Sequence, residues 1–143
     1  MFRFEKLEIW HESIKYSKDI YRIAEALPRN EDFGLKPQIK RAALSISSNI
    51  AEGSGSSTIK DFAHYLDIAI KSTIETVSQL LFGKEMNYFN DKDIKLLYDQ
   101  AELLIKRIQS FKKSLKLLHS TLYLLFATCY TLPATKYLLR SFL

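Results

Sequence analysis

The stretch DKDIKLLYDQAELLIKRIQSFKKSLKLL, residues 91–118, decides how the chain is read. Ile94, Leu97, Ala101, Leu104, Ile105, Ile108, Phe111, Leu115 and Leu118 recur at spacings of mostly three and four. That is the period at which side chains stack on one face of an α-helix. Asn90 or Asp91 stands where an N-terminal cap belongs, and Asp91 and Asp93 suit the positive end of the helix dipole. The same stretch also changes charge along its length. Acids and bases are mixed up to Glu102, whereas Lys106, Arg107, Lys112, Lys113 and Lys116 stand without an acid among them.

Working outward, three further segments carry the helical period. Residues 7–27 pair an apolar stripe of Leu7, Trp10, Ile14, Tyr21 and Ala24, widened by Ile9, Tyr16, Ile20, Ile23 and Leu27, with a polar stripe from Glu8 to Arg22. Pro28 ends it. Residues 34–52 place Leu35, Ile39, Ala42, Ala43, Ile46 and Ile50 inward. Pro37 falls in the first turn, where its missing N–H costs nothing. Gly53 is expected as a left-handed C-terminal cap. The many small residues of this segment, Ala42, Ala43, Ser45, Ser47, Ser48 and Ala51, let a neighbouring helix approach closely. Thr58, with Asp61 three residues on, caps a third segment that runs to about Asn87. Its inward residues are Phe62, Leu66, Ala69, Thr73, Val77, Leu80 and Leu81. Four such segments joined by short turns predict an all-α protein, an antiparallel up-down four-helix bundle over residues 1–118.

Residues 119–143 form an apolar and basic C-terminal extension. Residues 117–135 carry no charge, close to the length of a membrane span. His119, Ser120, four threonines and Pro133 interrupt that stretch, so it reads instead as a helical extension to about residue 132. It would pack on its own bundle or on a neighbour, and a membrane association is disfavoured. Cys129 is the single cysteine. It excludes an intrachain disulfide and a cysteine-based zinc site, and it reads as an inert buried thiol. The N-terminus lacks the apolar run of a secretory signal, which makes the cytoplasm the expected compartment.

No constellation in the sequence points to catalysis. Glu8/His11 and Asp61/His64 have the i,i+3 spacing of di-metal bundles, but both pairs lie on polar stripes beside lysines, and such a site must face the core. The stretch 53–57, Gly-Ser-Gly-Ser-Ser, lacks the lysine and the preceding strand of a phosphate loop and reads as a flexible connector. Neither a metal nor a cofactor is expected. Charge distribution is the informative signal. Of a net +5, residues 1–105 contribute −2 and residues 106–143 contribute +7. Such asymmetry suits a polyanionic partner. Lys106, Arg107, Lys112, Lys113 and Lys116, with a second cluster of Lys36, Lys40 and Arg41, are the candidate phosphate contacts. No groove-reading motif accompanies them, so recognition of shape and charge is expected.

The second segment also carries a resemblance. Phe33-Gly34-Leu35, Gln38-Ile39-Lys40-Arg41-Ala42-Ala43 and Ser45-Ile46-Ser47-Ser48-Asn49-Ile50-Ala51-Glu52-Gly53 resemble the signature of the four-helix-bundle proteins encoded in intervening sequences of bacterial 23S rRNA genes. Members of that family are also called S23 ribosomal proteins. Phe4-Glu5-Lys6-Leu7-Glu8-Ile9-Trp10 looks like the family's usual start, and Asp61-Phe62 with Tyr65-Leu66-Asp67-Ile68-Ala69 is similar to its third helix. The resemblance covers residues 3–118. Ser47 stands where proline is usual and Pro37 where a small polar residue is usual. It implies an antiparallel bundle, a homopentamer, a positive surface and no enzyme activity. Related members are thought to bind nucleic acid or a reverse transcriptase. Two functional expectations follow: a nucleic-acid-associated oligomeric bundle, or a protein scaffold whose basic face is only solvated.

Overall fold

The computed structural model describes residues 1–131. Four α-helices are present among the described residues: α1 Glu8–Ala24, α2 Leu35–Ser54, α3 Ile59–Glu85 and α4 Asp91–Thr131. Single 3-10 turns at Arg3–Lys6 and Arg29–Glu31 lead into α1 and α2. Each helix packs on its neighbours in the chain, and α4 closes the ring on α1. The short connections force the direction to alternate, so the expected up-down bundle is what forms. α4 continues unbroken past residue 118 to Thr131. The expected helix end near Pro133, the cations Lys136 and Arg140, and the burial of Cys129 lie outside what is described. Among the described residues no helix is long and apolar enough to cross a membrane.

Ile20, Ile39, Ile46, Ile50, Leu66, Leu80 and Ile108 are fully buried at the centre. The hydroxyl groups that enter this core are satisfied there. The Tyr16 hydroxyl meets Thr76 Oγ1 at 2.9 Å, Thr76 Oγ1 donates to the Thr73 carbonyl, and Ser17 Oγ donates to the Ala43 carbonyl at 2.7 Å. Burial pushes the Tyr16 phenol up to about 12, with the Thr76 hydrogen bond opposing it.

The helix ends show how local sequence sets these boundaries. Thr58 Oγ1 accepts the Asp61 N–H at 3.0 Å, and Asn90 Oδ1 accepts the Asp93 N–H at 2.9 Å, both as expected. α3 stops at Glu85 because Asn87 turns left-handed, with φ 59°. The Asn87 N–H then bonds the Lys84 carbonyl and the Tyr88 N–H bonds the Gly83 carbonyl, a Schellman pattern. The N-terminus of α2 has no side-chain cap from Gly34. Glu31 supplies it from outside, with Oε2 accepting the Leu35 N–H at 2.8 Å, while its Oε1 accepts from the Tyr88 hydroxyl at 3.1 Å.

Three expectations are corrected. Gly53 is not a left-handed cap. α2 continues through it to Ser54, and no described glycine has positive φ. Gly53 instead lies where α3 crosses: a Cβ there would sit 2.6 Å from Tyr65 Cβ and 2.8 Å from Phe62 Cδ2. The buried face of α1 is Ile9, Ser13, Tyr16, Ser17, Ile20 and Ala24, whereas Tyr21 is exposed. Two serines occupy that face because their small side chains admit a close helix, one of them bonding it directly. Leu81 points outward and is exposed, leaving Leu80 and the buried Gly83 to carry the α3 core there.

Candidate nucleic-acid interface

The eight candidate cations do not form one surface. Lys36 and Lys40 lie at the start of α2, beside the end of α1, where both meet Glu25. Lys36 also bonds Asp32 at 3.2 Å, and the Lys40 ammonium sits 5.3 Å from the Tyr21 ring centre. These hydrogen bonds, Lys40 first, hold the Glu25 carboxyl below its ordinary range. Asp32 in turn raises the Lys36 ammonium. Arg41 is exposed, with no ion pair among the described residues. The second cluster lies at the other end of the bundle. Arg107 of α4 is paired with Glu12 and Glu8, at the start of α1. Glu12 and Glu25 are 13 residues apart in sequence, so at 1.5 Å per residue the clusters are separated by about 20 Å.

Within α4 the basic residues divide again. Arg107 reaches one flank to meet α1, and Lys112 reaches the other to meet Asp67 of α3. Both act first as latches on the seam. Lys106 points outward and pairs one turn back with Glu102 at 3.2 Å. Lys113 and Lys116 are exposed and have no carboxylate within ion-pair distance among the described residues. Five of the eight cations are thus engaged inside the chain, leaving Arg41, Lys113 and Lys116.

One concave feature gathers cations from two helices. A groove of about 560 Å³ runs between the start of α3 and the basic part of α4, with Lys60, His64, Asp67, Lys112 and Lys116 on its walls. Lys60 and His64 were not among the sequence candidates. The available signal was Thr58: a cap at that position puts Lys60 in the first turn of α3, and antiparallel pairing brings that turn beside Lys112 and Lys116. The carboxylate–histidine pairs serve other ends. His11 Nε2 lies 2.8 Å from the Glu5 carbonyl, and Glu8 faces Arg107. Among the described residues no three His, Cys, Asp or Glu side chains cluster to hold a metal.

The chain matches one family model, that of the 23S rRNA-intervening sequence protein, over residues 5–110. The chain belongs to that family. A solved member of the S23 ribosomal protein family from Bacteroides thetaiotaomicron, a protein of unknown function, superposes with a TM-score of 0.68 at 24% identity. The match covers 73% of this chain and 98% of that one. At that identity the likeness speaks for the fold of the intervening-sequence family and no further. No curated protein matches the chain. The family match ends at Ser110, so Lys112, Lys113 and Lys116 and everything after them stand beyond it.

Proposed function

We propose that this intervening-sequence family member is a non-catalytic, homo-oligomeric bundle of the cytoplasm that associates with structured RNA or DNA through the basic part of α4, residues 106–116. The observation that carries the reading is the acid-free run from Lys106, in which Lys113 and Lys116 remain exposed and uncompensated while Lys60 of α3 stands across the groove from Lys116. Such a surface gathers phosphates without reading bases. The expectation of a pentamer comes from the family resemblance, and native mass measures it directly. The test is titration of a labelled RNA hairpin by fluorescence anisotropy across salt. Affinity should fall steeply with salt, and the triple variant Lys106→Gln, Lys113→Gln, Lys116→Gln should bind more weakly with a shallower slope. Unchanged binding by that variant would sink the proposal.

A protein scaffold is the second reading. It is favoured by the internal ion pairs of five candidate cations and by Leu96, Leu103 and Leu117 of α4, each more than half exposed. On this reading deleting residues 119–143 abolishes capture of the partner and leaves the bundle folded. A partner retained by the truncated chain counts against it.

A further inference from the structure

We infer that the α3–α4 groove is the point at which a nucleic-acid strand seats a backbone phosphate. The inference deepens the nucleic-acid reading above and rests on it. Three ammonium groups line the groove, those of Lys60, Lys112 and Lys116, against a single lining carboxylate, Asp67. Asp67 is already paired with Lys112. The lining therefore keeps a formal charge of +2 with His64 neutral, in a concave site where its walls focus the field on one bound anion.

The first turn of α3 adds donors on the same side. The first N–H groups of any helix lack intrahelical partners. Thr58 satisfies the Asp61 N–H, and the first two residues of α3, Ile59 and Lys60, line the groove. The positive end of the α3 dipole favours an anion there, and Asp61 in the first turn, bonded to Thr58, already meets part of it. Lys112 and Lys116 are one turn apart on α4 and face this end of α3 together.

The charge selects the occupant. A phosphate that enters between the two helices meets cations of α3 and α4 at once. The outward cations Lys106 and Lys113 lie away from it and contribute only to the general field.

The experiment uses the full chain and two charge-neutralised pairs, each checked for an unchanged melting temperature. Lys60→Gln with Lys116→Gln removes two groove contacts; Lys106→Gln with Lys113→Gln removes two outward charges. For a labelled RNA hairpin at low salt, the groove pair should lose about tenfold or more in affinity, and its log–log salt slope should fall by about 0.7 to 0.9, the value for one lost phosphate contact. The outward pair should lose under about threefold. Arginine at positions 60 and 116 should restore binding. Equal weakening by both pairs overturns the groove and leaves the nucleic-acid reading standing. Absence of RNA binding by the wild type overturns both. A second arm titrates ¹⁵N-labelled protein with inorganic phosphate against chloride at matched ionic strength. Shifts should concentrate on the amides of Ile59, Lys60 and His64 and vanish in the groove variant. No phosphate-specific shift there overturns the groove, whatever RNA does. So does capture by phosphatidylserine vesicles through Lys60 and Lys116 in a protein that ignores RNA.

Discussion

Replacing Gly53 tests whether the α2–α3 crossing is set by close packing. In Gly53→Ala the added methyl would lie 2.6 Å from Tyr65 Cβ and 2.8 Å from Phe62 Cδ2. Ordinary contact begins near 3.4 Å, so the helices must part by several tenths of an ångström. Tyr65 Cβ is attached directly to the α3 backbone, so rotating a side chain cannot relieve it. Overpacking of this kind costs about 1–3 kcal/mol. Alanine returns about 1 kcal/mol as the better helix former. The net expectation is a loss of about 1 kcal/mol, or about 4 °C in melting temperature for a domain of this size. Gly53→Asn discriminates the alternatives. A left-handed cap tolerates asparagine better than alanine, but a tight helical crossing rejects the larger side chain and should lose about 1 kcal/mol more than alanine does. Gly55→Ala is the control, since a Cβ there meets only the Glu52 carbonyl at 3.3 Å and its φ of −85° is open to any residue. Thermal unfolding followed by far-ultraviolet circular dichroism reads all three. Asparagine equal to or better than alanine at position 53, or a melting temperature raised by alanine, would refute the packing account.

Tyr16 gives the fold an alkaline limit. The folded state holds the phenolic proton more tightly, from 10.0 to about 12. That stabilisation is complete below pH 10 and is lost as pH rises through 12, about 2–3 kcal/mol in all. Tyr16→Phe should flatten the fall in stability between pH 10 and 12, measured by denaturant melts, while costing about 1 kcal/mol at neutral pH. The Arg107–Glu12 latch is partly exposed, so a double-mutant cycle of Arg107→Gln and Glu12→Gln should return a coupling of about 0.5–1 kcal/mol that shrinks in molar salt. A coupling that ignores salt would contradict it. At the end of α3, Asn87→Gly should be neutral or stabilising by up to about 1 kcal/mol, and Asn87→Val should destabilise by about 1–2 kcal/mol, because only the first accepts φ 59° freely.

The helices themselves were legible because their apolar period is long and because α3 and α4 begin with conventional caps. Thr58 announced the start of α3, and of the two residues read as caps for α4, Asn90 or Asp91, it is Asn90 that takes the place. What escaped the pattern were positions where size outweighs polarity. Ser13 and Ser17 look like solvent residues in a hydropathy stripe, yet they are buried because α1 needs small side chains there. Gly53 looks like a stop signal because glycine usually ends helices, yet here it makes room for the helix that follows. The candidate interface was legible only in part. Sequence spacing showed that cations cluster, but it cannot show which carboxylates the fold brings opposite them. Glu12 and Asp67 lie 95 and 45 residues from their partners. The same blindness hid Lys60, whose relation to Lys116 exists only once α3 and α4 run antiparallel.

The two latches on α4 have a consequence for how the chain settles into place. The seam of that helix, Ile94, Leu97, Ala101, Leu104, Ile108, Phe111 and Leu115, almost repeats itself every seven residues. A shift of α4 by one heptad, about 10 Å, would exchange one apolar residue for another at nearly every step. Hydrophobic burial alone therefore distinguishes poorly between the two alignments. Arg107 and Lys112 have no such echo. A slip brings Gln100 or Ser114 opposite Glu12, and neither carries a charge. Two latches of about 0.5–1 kcal/mol each favour the native alignment by about five- to thirtyfold. The cations that first suggested a partner outside the molecule thus also work as alignment pins, indexing a helix whose greasy face could not by itself tell one notch from the next.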